Sequence, residues 1–348
     1  MKTKRLKFIL LAFGAIFLTS CNNLLYTSLD VLRPAKVAFA LDANSLLIVN
    51  NTVTQPANYG HTTELINKAP INNVISTDSL SIFCLGALTE DLETKGFFSS
   101  IQLIPNSINK GYDFFKPLDL NEDSVKNLCL RHHANAILSL DKITVNDKLS
   151  EQYLADSYSY LAALELQFKT YWSIHYFDKL PGTSIQFNDT SYWESESYVR
   201  RNTISGLPKR TDALIDGALD VGHNSTNRFV PYWEKVDRYF FNPNNRLMKQ
   251  GMDSVYVKNW KSAINSWETA LNYNKSIRIK AQASNNIAIA YEITGDVDKA
   301  LEYATKSLNL IGEFTITDYE SLSRLTDYIK DLIQRKIEIK TLKQQLGD

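Results

Sequence analysis

The chain reads as an α+β protein in two parts: a β-α-β-α-β module that runs into an antiparallel meander, then an all-α domain built on helical repeats. Three observations predict this. Short apolar runs alternate with helix-period segments up to about residue 140. A period-two alternation then runs through YSYLAALELQFKTYWSIHYFD. From about residue 204 the period is helical, and NWKSAINSWETALNYN lies over DVDKALEYATKSLNLI.

In order, residues 35–39 predict a first extended segment, and Leu46-Leu47-Ile48-Val49 a buried strand. Residues 51–76 are rich in Asn, Thr, Pro and Gly and predict a loop. Leu80, Phe83, Ala87, Leu88 and Leu92 recur at helical spacing, with Gly96 as the stop. Residues 101–104 predict the next strand, closed by Pro105. Asp119 with Glu122 reads as a capping box before a helix carrying Val125, Leu128 and Cys129. Another strand starts at Ala136. The alternating segment puts Tyr158, Ala162, Leu164, Leu166, Phe168 and Trp172 on one face for about 19 residues, ~60 Å if fully extended. A turn over 178–182 and a short return strand over 183–190 follow.

In the second part, Leu214, Ala218 and Leu219 mark one helix. Trp233, Val236, Tyr239 and Phe240 mark another, started near Pro231. The two repeats span about 244–275 and 281–312. Trp260, Ala263, Trp267 and Ala270 align with Val297, Ala300, Ala304 and Ser307, and Gly251 aligns with Ala288. Tyr291 and Gly295 complete the second copy. Leu322, Leu325, Ile329, Leu332 and Ile339 lie at heptad-like spacing on a last helix, which reads as a capping helix and allows a coiled-coil homo-oligomer.

The sequence carries four resemblances. The repeats resemble tetratricopeptide repeats, although Ala263 and Ala300 lie about 37 positions apart against a usual 34. The resemblance implies a concave groove lined by Met248, Met252, Val255, Asn285, Ile289 and Glu292 that holds a peptide or partner helix; the other reading is that neighbouring parts of the chain fill it. LTEDLETKGFFSSIQLI followed by LCLRHHANAILSLDKI resembles the N-terminal module of curli-secretion-pore lipoproteins and of the TolB N-terminal domain, over roughly 35–190. Finally, Lys2, Lys4, Arg5 and Lys7 precede an apolar run that ends in Leu18-Thr19-Ser20-Cys21. That end resembles a bacterial lipobox, which implies acylation of Cys21 after removal of a signal peptide, residues 1–20. Asn22 and Asn23 then imply the outer membrane, facing the periplasm. The chain as a whole resembles uncharacterised lipoprotein families that join such a module to helical repeats. The expected domains are a tether over 21–34, the α/β module over 35–200 and the helical domain over 201–348.

Lys and Arg total 38, as do Asp and Glu. Without the four basic residues of the leader the net charge is about −4, with no basic face for phosphates, so nucleic acid is not an expected partner. Cys84 and Cys129 sit on apolar helix faces and read as buried free thiols. Cys129 with His133 is too small a set for zinc, Glu90, Asp91 and Glu93 read as a solvated face, and Asp189, Glu194 and Glu196 lack calcium-loop spacing. His61, His175 and His223 are isolated and read as surface or partly buried. No phosphate-loop, dinucleotide or nucleophile-elbow motif is present. The expectation is a non-enzymatic envelope scaffold without metal or cofactor, its partner an envelope protein or peptide. The alternatives are an oligomeric secretion-pore-like lipoprotein and a small-ligand binder.

Overall fold

The computed structural model describes residues 24–109, 111, 113–116, 119–177, 182–314 and 319–347. The expected signal peptide, Cys21 and the turn residues 178–181 lie outside them. The chain divides into two compact units.

The first unit comprises residues 35–232 and the end of the chain from 345. Its elements are β2 (Ser45–Asn50), β3 (His61–Glu64), β4 (Ile71–Asn72), α1 (Leu80–Lys95), β5 (Ser100–Ile104), α2 (Glu122–His132), β6 (Ala136–Leu154), β7 (Ser159–Tyr176), β8 (Thr183–Ser197), α3 (Arg200–Ser205) and α4 (Arg210–Phe229); β1 (Leu24–Arg33) belongs to the other unit. One mixed sheet runs β4-β3-β6-β2-β5, and β7 and β8 add antiparallel on the free side of β6. β2 lies parallel between β5 and β6, which explains its unbroken apolar run: Leu46 and Ile48 face α1 and α4, while Leu47 and Val49 face α2. The Ala-Asn-Ala-Ile stretch has a local cause. Asn135 accepts from the Ser45 backbone at 3.0 Å and donates to the Asp42 carbonyl at 2.6 Å, fixing the starts of β2 and β6 together.

Gly96 ends α1 in the left-handed conformation, φ 59°. The cap of α2 is Asn121, which accepts from the Ser124 backbone, and not the expected Asp119. The alternating segment is β7. Leu164, Leu166, Phe168 and Trp172 are buried beneath Leu214, Ala218, Val221 and Phe229 of α4, so the face that a pore would turn to lipid is covered by a helix. The close approach of α4 depends on glycine. A methyl group on Gly217 would strike the Phe168 ring, and one on Gly222 the Cys84 carbonyl of α1. Cys84 and Cys129 are buried and unpaired, and burial pushes both thiols up.

The second unit comprises residues 24–34 and 233–344. β1 pairs with β9 (Tyr232–Phe241), and five helices follow: α5 (Arg246–Tyr256), α6 (Trp260–Tyr273), α7 (Ile277–Ile293), α8 (Val297–Phe314) and α9 (Tyr319–Leu346). Their shared core holds Phe240, Met248, Trp267, Ile287, Ile289, Leu325 and Leu332. α7 is buried on nearly every side, as a central helix must be. Gly251 gives room to the Trp267 indole, which a methyl group there would overlap. Ala263, Ala270, Ala288 and Ala300 are fully buried between helices, and Gly295 turns at φ 89°. Trp260 stacks on Phe240 at 6.5 Å, and Tyr291 on Tyr303 at 5.6 Å. Leu322, Leu325, Ile329, Leu332 and Ile339 of α9 pack into this same core, so the heptad seam is occupied within the chain.

Several expectations are corrected. Residues 35–39 form no strand; Phe39 instead packs its ring edge on Phe98 at 5.0 Å. The expected tether holds β1, and the expected loop 51–76 holds β3 and β4. The return strand reaches Ser197. The expected helix at 233–240 is β9. Its YWEKVDRYFF sequence is aromatic and β-branched, and so short an apolar pattern satisfies both periods until a pairing partner decides. The boundary expected at 200 falls near 232, because the apolar stripe of α4 packs on β7.

Gly222→Ala is expected to lower stability by about 1–3 kcal/mol, because the added methyl must push two packed helices apart and this exceeds the gain in helix propensity. Urea unfolding followed by circular dichroism measures it, and an unchanged midpoint would reject the close α1–α4 contact.

Candidate functional site

The residues expected to line an open groove are gathered in the second unit, but they are not open. Met248, Met252, Asn285, Ile289 and Glu292 are all buried, and Val255 packs at the edge of the same core. The element over Asn285 and Glu292 is β9. Asn286 of α7 accepts from the Phe241 N–H and donates to the Phe241 carbonyl, both at 2.8 Å, as a neighbouring strand would. Asn285 donates to the Tyr239 carbonyl at 3.3 Å. Arg238 reaches down to Glu292 through two hydrogen bonds of 2.8 and 3.0 Å. Its guanidinium also lies 4.9 Å from the Tyr328 ring centre. Burial pushes the Tyr328 hydroxyl well above its ordinary range, and Glu292 adds to the effect. An extended segment of the same chain thus lies against these helices.

On the other side of β9 lies β1. Ser28 bonds Asp237 at 2.6 Å, and Arg33 pairs with Glu234 at 2.7 Å and with Glu338 of α9 at 2.8 Å. Tyr26 packs against Tyr239, so the contacts run in opposite order along the two strands.

The first unit carries two features that sequence reading missed. One is a buried ion cluster: Asp147 of β6 holds both His61 of β3 and Arg210 at the start of α4. His61 is buried, not at the surface, because parallel pairing sets it directly beside Asp147. The other is an open cleft of about 320 Å³ on the sheet face turned away from α4. Lys142, Thr144, Asn146, Gln167, Lys169, Tyr171, Asn188 and Thr190 contribute from β6, β7 and β8, and Tyr59, Phe114 and Phe115 from loops. The Lys142 ammonium lies 4.4 Å from the Phe114 ring centre. Burial lowers its proton affinity, against the pull of Asp113 and with the push of Lys169. The outward positions of the alternation held this floor in the sequence, but the loops that wall it are distant in the chain.

The remaining candidates are structural. His133 caps α2 in the left-handed conformation, and His132 bonds Gln102 at 3.0 Å. Asp91 pairs with His223, and Asp189 is held by Arg228 at 2.8 Å. Among the described residues no three His, Cys, Asp or Glu side chains gather as metal ligands, and no helix is long and apolar enough to cross a membrane.

Removing Arg238 should leave Glu292 buried and unpaired. Arg238→Ala is expected to cost about 3–5 kcal/mol, and the double change Arg238→Met with Glu292→Met much less. Denaturant midpoints of the unaltered protein, Arg238→Met, Glu292→Met and the double variant close the cycle, and strictly additive losses would reject the coupling.

A search of curated proteins found no match. Residues 249–334 match a family described as Domain of unknown function (DUF6340). Residues 43–241, more than half of the chain, match another, from before β2 to the last residue of β9. The chain therefore belongs to the family described as Domain of unknown function (DUF8603).

Proposed function

We propose that this is a non-enzymatic scaffold protein of the bacterial envelope, lipid-anchored at Cys21 on the periplasmic face of the outer membrane. In this reading α5 with α6 and α7 with α8 are two tetratricopeptide-like repeats, and the α/β unit is the TolB-like module. The observation that carries it is the filled groove. The repeats bind an extended strand through Asn285, Asn286 and Glu292, and that strand pairs with the segment that follows the anchor. β1 starts about three residues after Cys21, roughly 10 Å of extended chain. The repeats therefore hold the anchored end of the protein, and an envelope partner is received on their other surfaces or on the α/β unit. A second reading, ligand binding, is favoured by the cleft beside Lys142.

Two measurements test the proposal. Palmitate labelling and envelope fractionation of Cys21→Ser should show loss of label and release from the membrane; retained label elsewhere would reject the anchor. Mild crosslinking and purification of the acylated protein should recover one other envelope protein at fixed stoichiometry. A solitary monomer would reject the scaffold, and a large ring of this chain alone would favour the pore.

A further inference from the structure

We propose that the cleft on the open face of β6, β7 and β8 binds an acidic saccharide, a sugar chain bearing carboxylates. The registers set its floor as a grid. Lys142 lies beside Tyr171; Thr144 beside Lys169 and then Asn188; Asn146 beside Gln167 and then Thr190. Neighbouring strands stand ~4.8 Å apart, so these groups form evenly spaced rows. Amides both donate and accept, and hydroxyls do the same, which suits the vicinal hydroxyls of a sugar ring.

The wall suits the other face of such a ring. Tyr59 meets Phe114 at 6.0 Å and Phe115 at 5.4 Å, edge to face, and the two phenylalanines meet at 5.3 Å. Phe115 is 59% exposed and Tyr59 43%. Aromatic side chains held so open at the rim of a polar floor offer flat apolar surfaces to the C–H side of a sugar. A fatty chain would strand the amides of the floor, which excludes it. A cationic ligand is excluded too, because Lys142 already occupies the aromatic cage.

Charge selects the acid. The cations of the lining are Lys142 and Lys169. The acidic residue of the lining, Asp189, lies beside Phe168 in the register and turns its carboxylate to Arg228 of α4, on the other face. Asp113 lies near Lys142 but outside the lining. A cleft with a positive balance on a chain of negative net charge would draw a carboxylate against the general field.

The test is calorimetric titration of the full-length protein in detergent with trigalacturonate and with a hyaluronan tetrasaccharide, and with maltotriose as the neutral probe. At least one acidic probe should bind, and maltotriose at least about tenfold more weakly. Lys169→Gln, an exposed change with little effect on folding, and Phe115→Ala should each weaken the acidic probe about tenfold, as should Lys142→Gln. If neither acidic probe binds, if maltotriose binds equally well, or if Lys169→Gln and Phe115→Ala both leave binding unchanged, the proposal is overturned. None of these results depends on acylation or on a protein partner.

Discussion

A strand that lies on helices has one backbone edge without a neighbouring strand, and each unpaired buried N–H or C=O there costs as much as a lost hydrogen bond. β9 meets this constraint with side chains. Asn286 supplies both halves of a strand-like pair to Phe241, and Asn285 takes the carbonyl of Tyr239. The same strand carries Arg238 into Glu292 and stacks Phe240 on Trp267 at 5.6 Å. The helical layer, the first strand and the charge balance of the core all depend on this one seating. A buried carboxylate among apolar helices requires the guanidinium, and the guanidinium requires the strand.

The family boundaries add a point about this strand. The family match at 43–241 ends with β9, whereas the compact units divide just before most of it. The α/β sequence thus ends in a segment that packs with the helices that follow. A groove of this kind has an extended occupant always tethered to it, at an effective concentration that a free peptide does not reach. On the scaffold reading proposed above, a partner would be received on other surfaces.

In the α/β unit, one strand serves two purposes through its period of two. The even residues of β7 build the core under α4, and its odd residues Gln167, Lys169 and Tyr171 form the floor of the cleft. The core face is apolar apart from Thr170, which accepts from the Trp172 indole, and glycines of α4 let that helix approach closely. The cleft face is polar and open, with its aromatic wall supplied by loops that belong to neither strand. Burial on one side and solvation on the other explain why an antiparallel extension of a parallel sheet can carry a surface feature at all.

Much was legible in local pattern. β2 and β5 follow from short apolar runs, β7, α1 and the helices from α6 onward from periods of 2 and 3.6, and Gly96 marked the end of α1. The small residues Gly251, Ala263, Ala288 and Ala300 likewise pointed to tight helix contacts, which their burial between helices reflects. These are short-range matters, fixed by backbone geometry and by which side of an element is apolar. What only the tertiary structure decided was the identity of each partner. β9 satisfies a helical spacing and a strand spacing alike, and pairing with β1 far back in the chain made it a strand. Glu292 had the composition of a groove residue, but the Arg238 that covers it lies 54 positions away in the chain. His61 looked isolated because Asp147, which Arg210 also holds, comes beside it only through parallel pairing. Periodicity tells which residues seek cover, and only the folded chain supplies what covers them.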